Sequence, residues 1–220
     1  MKIATWNVER LKHYNSLDKI RLACESVHAD ILILTETDTR LQPNYRYCFQ
    51  TPLLGKQHSV FYRETENRVS IYTDYPLVRQ HPTFDDMTSL CVELDTELGS
   101  LCVYGTIIGI YGNRHSDYLP VLKRQMEDIR RLHGEGRHIC FGGDYNCSFS
   151  DNYYFTETGR SVLIDTFALS NLSLLTEAQP ECIDHIAMSK DFIGNHKHHV
   201  EEWNANKEMS DHKGIAVTLL

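Results

Sequence analysis

The sequence predicts an α/β fold in which two sheets pack face to face and are covered by helices. Three observations predict it. Apolar runs of strand length recur throughout the 220 residues, stretches with helical spacing lie between some of them, and no repeat or low-complexity linker separates the two kinds. Two packed sheets with helices outside would bury that many apolar runs together. The length suits one domain spanning residues 1–220. The composition, 41% hydrophobic and 24% charged, is ordinary for a soluble globular protein.

Residues 2–6 read as a first strand ending at Asn7. Ser16 is placed to cap a helix whose apolar face is Leu17, Ile20, Ala23, Cys24 and Val27, continuing to about His28. Residues 31–34 are a continuous apolar run, the pattern of a strand buried on both faces, and it should end at Thr35-Glu36. Strands are expected over 58–62, 69–73, 90–94 and 101–106, with Pro76, Pro82 and Gly99 as punctuation. A second helix should run over 117–132 with Leu119, Leu122, Met126 and Ile129 inward, stopped by Gly134 and Gly136. The next apolar run, 138–141, leads into Gly142-Gly143-Asp144-Tyr145-Asn146, where two glycines let the chain turn sharply as it leaves a strand. A shorter third helix is expected over 161–169 after Gly159-Arg160, and 183–188 and 214–219 read as closing strands.

Several function classes are disfavoured by composition. No apolar run approaches the roughly 20 residues of a membrane span, so no stable membrane association is expected. Residues 1–8 read as a strand and not as a signal peptide, which predicts a cytoplasmic location. The seven cysteines lack Cys-x-x-Cys spacing and mostly sit among apolar neighbours, the pattern of buried reduced thiols. The histidine cluster at 196–199 lacks paired ligand spacing and reads as a solvated loop. A net charge of −8 argues against a surface that coats nucleic acid, although a local basic rim and a bound cation would still suit a nuclease. Nothing in the sequence sets an oligomeric state.

Five polar sites follow or interrupt the expected strands: Asn7 with Glu9, Glu36, Asp144 with Asn146, Asp184-His185, and Asp211-His212. Strand ends on one edge of a sheet converge, so residues distant in sequence can share a pocket. Glu36 follows four apolar residues and Thr35, where a carboxylate is costly unless paired or metal-bound. A hard divalent cation takes oxygen ligands, which Asn7, Glu9, Glu36 and Asp211 supply. Asp144 can take a proton or hold a metal, and Asn146 can donate hydrogen bonds to an anionic oxygen. His185 should point away from Asp184 in a strand and is given no role.

Trp6-Asn7-Val8-Glu9, Leu34-Thr35-Glu36, Gly142-Gly143-Asp144-Tyr145-Asn146, Ile183-Asp184-His185 and Ser210-Asp211-His212 occur in the order seen in endonuclease/exonuclease/phosphatase proteins. The resemblance runs from Lys2 to Leu220. It implies a four-layered α/β sandwich with mainly antiparallel sheets and metal-assisted hydrolysis of a phosphoester. By that resemblance Glu36 would be the main Mg²⁺ ligand (Mn²⁺ being the alternative ion), with Asn7, Glu9 and Asp211 near it. Asp144 would orient and deprotonate water, Asn146 would bind a phosphate oxygen, His212 would contact the scissile phosphate or exchange a proton, and Asp184 would hold its imidazole. The choice between Asp144 and His212 as base stays open.

The sequence departs from that family at one place. Many relatives carry Tyr or His on a central strand, where Thr106 is the positional match here; Thr can donate one hydrogen bond but cannot shuttle protons near neutral pH. Asn113 and Arg114 could supply the phosphate contact instead. Arg10, Lys12 and Arg40 are further candidate contacts, and Tyr153, Tyr154 and Phe155 either stack on a base or pack under a loop. The reading is a nuclease acting on DNA or RNA, with a repair role among its expectations. A phosphatase or phosphodiesterase for a small soluble phosphoester is the alternative, and a silent binding module the third.

Overall fold

The computed structural model describes residues 1–13, 16–56 and 61–220. In chain order the elements are β1 (Lys2–Asn7), a short 3-10 turn (Glu9–Leu11), α1 (Leu17–Ser26), β2 (Ile31–Asp38), β3 (Tyr47–Gln50) and β4 (Glu66–Thr73). There follow β5 (Leu77–His81), β6 (Ser89–Thr96), β7 (Gly99–Ile107), α2 (Tyr118–Gly134), β8 (Ile139–Asp144) and α3 (Glu157–Leu169). The last are β9 (Leu172–Leu174), β10 (Asp184–Ser189), α4 (Lys190–Ile193), β11 (His198–Trp203) and β12 (Gly214–Leu219).

The continuous apolar run in β2 is explained by burial on both faces. Ile31 and Ile33 enter the layer between two sheets, where they join Val69, Ile71, Val92, Val103 and Ile186. Leu32 and Leu34 point the other way and pack with Ile20 and Cys24 of α1. On the far side Leu122, Met126 and Ile129 of α2, with Leu163 and Phe167 of α3, cover Tyr104, Ile139 and Phe141 of the second sheet. The result is helix, sheet, sheet, helix: the four-layered sandwich expected.

Each sheet has six strands, ordered β11-β12-β1-β2-β4-β3 and β5-β6-β7-β8-β10-β9. Both are mainly antiparallel, with one parallel pair at the centre: β1 with β2, and β7 with β8. Parallel neighbours need a crossover, and α1 and α2 provide one each. Thus the carboxyl ends of four central strands, together with the amino ends of β10 and β12, face one edge of the sandwich.

Several element boundaries differ from the sequence expectation. β2 continues through Glu36 to Asp38 because Glu36 adopts a φ of 45°, a kink that keeps the strand paired beyond it. Gly142 and Gly143 lie within β8, so the sharp turn comes after Asp144. α3 begins at Glu157 and includes Gly159-Arg160, since Thr156 caps it by accepting the Gly159 N–H. Ser16 is the N-cap of α1 but its side chain makes no capping hydrogen bond. Strands β3, β5, β9 and β11 escaped the sequence reading because they are short or largely exposed, and β11 converts His198 and His199 from a loop into an edge strand. Of the strand expected over 58–62, residues 58–60 lie outside the described residues, and Phe61 and Tyr62 form no strand. Six of the seven cysteines are buried thiols; Cys48 is exposed.

Candidate active site

Asn7 is the last residue of β1, paired with Thr35, so Glu36 stands one step beyond it on the neighbouring strand. The Asn7 side chain is buried and its Nδ2 donates to Asp144 Oδ2 at 3.1 Å, tying the two sheets together at their shared edge. Its Oδ1 accepts the Glu9 N–H at 2.9 Å. The Glu36 carboxylate makes no hydrogen bond or ion pair among the described residues. Burial raises its pKa above the ordinary range, against His212, Arg68, Lys12 and Arg10, which lower it. A positive φ at a glutamate costs on the order of 1–3 kcal/mol and persists where the surroundings enforce it.

β8 delivers Asp144 to the same edge. Gly143, at φ 136°, lies so close to β7 that a Cβ would stand 1.9 Å from the Thr106 carbonyl oxygen. Asp144 Oδ1 accepts the Asn146 N–H at 2.8 Å, an Asx turn that orders the next two residues. Burial pushes Asp144 up to about 7, with His212 opposing and Asp184 reinforcing the shift. Asn146 donates from Nδ2 to the Ile108 carbonyl at 2.9 Å and contacts the Gly109 carbonyl at 3.4 Å. Both are hydrogen bonds, and the one to Gly109 is the weaker.

Across the cluster, buried Asp184 opens β10 and bonds His212 Nδ1 through Oδ2 at 2.5 Å. Its Oδ1 has no partner among the described residues. Burial would lower the His212 pKa, but the Asp184 charge and hydrogen bond, with Asp144 and Asp211, win and hold it up to about 10. The loop carrying His212 is fixed by its carbonyl, which accepts from Trp6 Nε1 at 3.0 Å and Asn204 Nδ2 at 2.7 Å. Ser210 Oγ donates to the Asn7 carbonyl at 2.6 Å, joining this loop to β1.

Glu9 and Asp211 meet through the Asp211 N–H, 3.1 Å from Glu9 Oε2, while Glu9 Oε1 takes the Lys12 ammonium at 2.9 Å. The Asp211 carboxylate is exposed and lies 3.7 Å from His212 Nε2. The Glu36 carboxylate, free of hydrogen bonds and ion pairs among the described residues, and the exposed Asp211 carboxylate are oxygen donors of the kind a hard divalent cation takes, whereas Glu9 is held by Lys12 and the Asp211 N–H.

Not every expected residue arrives. Thr106 is a correction: it is fully buried and its hydroxyl donates to Gln125 Oε1 of α2 at 2.7 Å, on the helix side of the sheet. Asn113 is buried beside the cluster, donating from Nδ2 to the Asn146 carbonyl at 2.8 Å. Arg114 is exposed. Tyr153 is also exposed, with the Lys207 ammonium 5.0 Å over its ring and bonded to its hydroxyl at 3.0 Å. Phe155 is covered by the Arg160 guanidinium, 3.6 Å away, and Tyr154 accepts the Asn113 N–H at 3.3 Å. A cleft of about 250 Å³ opens beside His212 between Asn146, Tyr153, Tyr154 and Lys207.

Sequence reasoning missed Arg68, Tyr62 and Ser210. Arg68 carried no signal, because its proximity to Glu36 depends on strand pairing; Ser210 was visible within its motif. His185 is a core histidine, bonded to Thr176 Oγ1 at 2.9 Å and near the Cys182 carbonyl at 3.1 Å. A second group, His81, Glu93 and Cys102, places three ligand-type atoms within 4.8 Å of one another. There Glu93 is already held by Arg137 at 3.0 Å, Ser100 at 2.7 Å and His81 at 2.9 Å, so its charge is compensated without an ion.

A family model described as the Endonuclease/Exonuclease/phosphatase family matches residues 4–212. No curated protein matches the chain in sequence. Among solved structures, the endonuclease domain of TRAS1, a telomere-specific non-LTR retrotransposon, aligns at a TM-score of 0.69 and 16% identity, covering 99% of this chain and 97% of that one. An endonuclease/exonuclease/phosphatase from Beutenbergia cavernae gives 0.70 at 15% identity, over 100% of this chain and 71% of the other. A beta toxin variant from Staphylococcus aureus with bound magnesium ions gives 0.66 at 17% identity, over 98% of each chain. At these identities the likeness establishes the fold alone.

Proposed function

The chain belongs to the endonuclease/exonuclease/phosphatase family, and from that premise we propose that it is a Mg²⁺-dependent nuclease hydrolysing phosphodiester bonds in DNA or RNA. One observation carries the reading. Asn7 and Asp144 from two sheets, and Asp184 with His212 from two further strand ends, meet at one edge beside the unpaired Glu36. Glu36 is the main metal ligand in this reading, with Asn7, Glu9 and Asp211 near the ion. When bound, the cation supplies charge neutralisation on the phosphate.

The chain's own groups divide the remaining work. Asp144, oriented by Asn7 and the Asn146 N–H, takes the proton of the attacking water. Asn146, braced by Asn113, turns the amide proton of its weak Gly109 bond to a phosphate oxygen. Asp184 holds His212 through Nδ1, leaving Nε2 to meet the phosphate and protonate the departing oxygen as the P–O bond breaks. Arg114 adds an exposed cation for substrate.

Nucleic acid is favoured over a small ester by what flanks this cluster. Arg10, Arg40, Arg63 and Arg68 gather on the Glu36 side, and the tyrosine-lysine cleft lies on the His212 side. A substrate extending both ways would use both. The net charge of −8 favours the second reading, a phosphatase or phosphodiesterase for a small soluble phosphoester.

A single panel decides. Purified protein with Mg²⁺ or EDTA is offered single-stranded, double-stranded and abasic-site DNA, RNA, and small phosphoesters, beside Asp144→Ala. The expected result is Mg²⁺-dependent oligonucleotide cleavage that falls by about 10²–10⁴-fold in the variant. Undiminished cleavage by the variant sinks the role of Asp144, and turnover of small esters alone selects the second reading.

A further inference from the structure

We propose that Arg68, flanked by Arg10 and Arg63, forms a second anion subsite that holds a polynucleotide phosphate adjacent to the one being hydrolysed. The proposal rests on the nuclease reading and adds to it how a chain of net charge −8 would grip an anionic polymer.

Arg68 lies on β4 directly across from Glu36 on β2, because Thr35 pairs with Val69 and Thr37 with Asn67. Only 7% of Arg68 is exposed, yet among the described residues its guanidinium forms no ion pair with a carboxylate. Its Nη2 donates to the Tyr62 hydroxyl at 2.8 Å, and its charge lies 5.2 Å from the Tyr62 ring centroid. A buried cation is costly without a counter-charge. Glu36 is the nearest acid across the strand pair, and a cation held by Glu36 would spend that charge. Arg68 then calls for an anion.

The neighbours are built for the same ligand. Arg10 stacks 4.5 Å over the Tyr62 ring and is anchored by Glu66 at 2.9 Å, and its Nη2 donates to the Phe61 carbonyl at 2.6 Å. Arg63 donates to the Arg10 carbonyl at 3.3 Å and lies 3.7 Å from both Asp38 and Glu66. Asp38 also takes Arg40 through two bonds of 2.9 and 2.7 Å. Three guanidiniums thus face two buried carboxylates, and Arg68 adds a fourth positive charge that pairs with neither. Side chains fixed by buried partners lose little freedom on binding.

The planar fork of a guanidinium matches phosphate oxygens. Adjacent strands lie about 4.8 Å apart, and successive phosphates of one strand advance about 3.4 Å along a duplex axis. A phosphate beside the one at Glu36 therefore falls within reach of Arg68.

The test compares Arg68→Gln and Arg68→Lys with the unaltered chain on an oligonucleotide and on bis(p-nitrophenyl) phosphate, which has no neighbouring phosphate. Arg68→Gln is expected to lower the ratio of kcat/KM for oligonucleotide over small ester by about 10- to 100-fold. The salt slope of oligonucleotide binding should fall by about 1. Arg68→Lys should keep the salt slope and recover part of the ratio. Binding is also read by anisotropy of a labelled oligonucleotide in Mg²⁺, on an Asp144→Asn background, so the subsite is tested apart from turnover. An unchanged ratio and salt slope, or equal losses on both substrates, would overturn the subsite. If the unaltered chain turns over the small ester but no oligonucleotide, the nuclease reading itself fails.

Discussion

Asp184 sets the charge of His212: its carboxylate and their 2.5 Å bond keep the imidazole cationic well above its ordinary range, and the buried carboxylate has a counter-charge beside it. His185, next in sequence, shows the opposite outcome. Burial, opposed by the Asp184 charge and by backbone bonds, lowers it to about 4 from an ordinary 6.5. The unfolded chain therefore binds more protons between those values, so the stability His185 contributes is present above about 6.5 and is lost as pH falls towards 4. The loss should reach about 3 kcal/mol. Urea denaturation at neutral pH and near the lower limit checks this, with His185→Gln expected to lose less on acidification; an equal loss would refute the assignment. That Asp184 and His185 diverge was legible, because successive strand residues face opposite sides. That His212 would be tuned upward was not, because the carboxylates that raise it come largely from residues 144 and 184, far away in sequence.

At the scale of elements, β8 is the strand on which the cluster depends. Gly143→Ala would drive a methyl into the Thr106 carbonyl at a φ that L-residues rarely adopt, and we expect destabilisation of about 3 kcal/mol or more. Chemical denaturation measures it, and a change under 1 kcal/mol, roughly the scale of a neutral substitution, would show that β7 and β8 have room to part. α3 offers a milder case. Its Thr156 cap accepts the Gly159 N–H at 3.2 Å, so Thr156→Ala should cost about 1 kcal/mol, a Tm lowered by about 2–4 °C. Differential scanning calorimetry resolves that, and no shift would mean that packing against α2 alone holds the helix. The apolar spacing of α1 and α2 and the run in β2 marked these elements in the sequence. The start of α3 and the exposed strands β3, β5 and β11 were hidden, since a strand with one solvated side and few apolar residues resembles a loop.

For the whole molecule, the carboxylate set at the sheet edge predicts a folded state that binds a divalent ion which the unfolded chain does not. At a Mg²⁺ concentration 100 times the Kd, the gain is about 2.7 kcal/mol. Melting curves with Mg²⁺ and with EDTA should separate accordingly, and Glu36→Gln should remove most of the difference; an undiminished Mg²⁺ shift in that variant would move the ion elsewhere. The sequence by itself determined the order of the central strands and helices, the two-sheet sandwich, and the polar residues that close each strand, because periodicity and burial are local properties of the chain. Tertiary structure decided which of those residues meet. Thr106 turns to Gln125 of α2, and Asn113 reaches Asn146. Arg68 comes to stand opposite Glu36 by the pairing of β2 with β4. The physical reason is register: a slip of one residue sends a side chain to the other face of its sheet, and register is set by contacts between segments far apart in sequence.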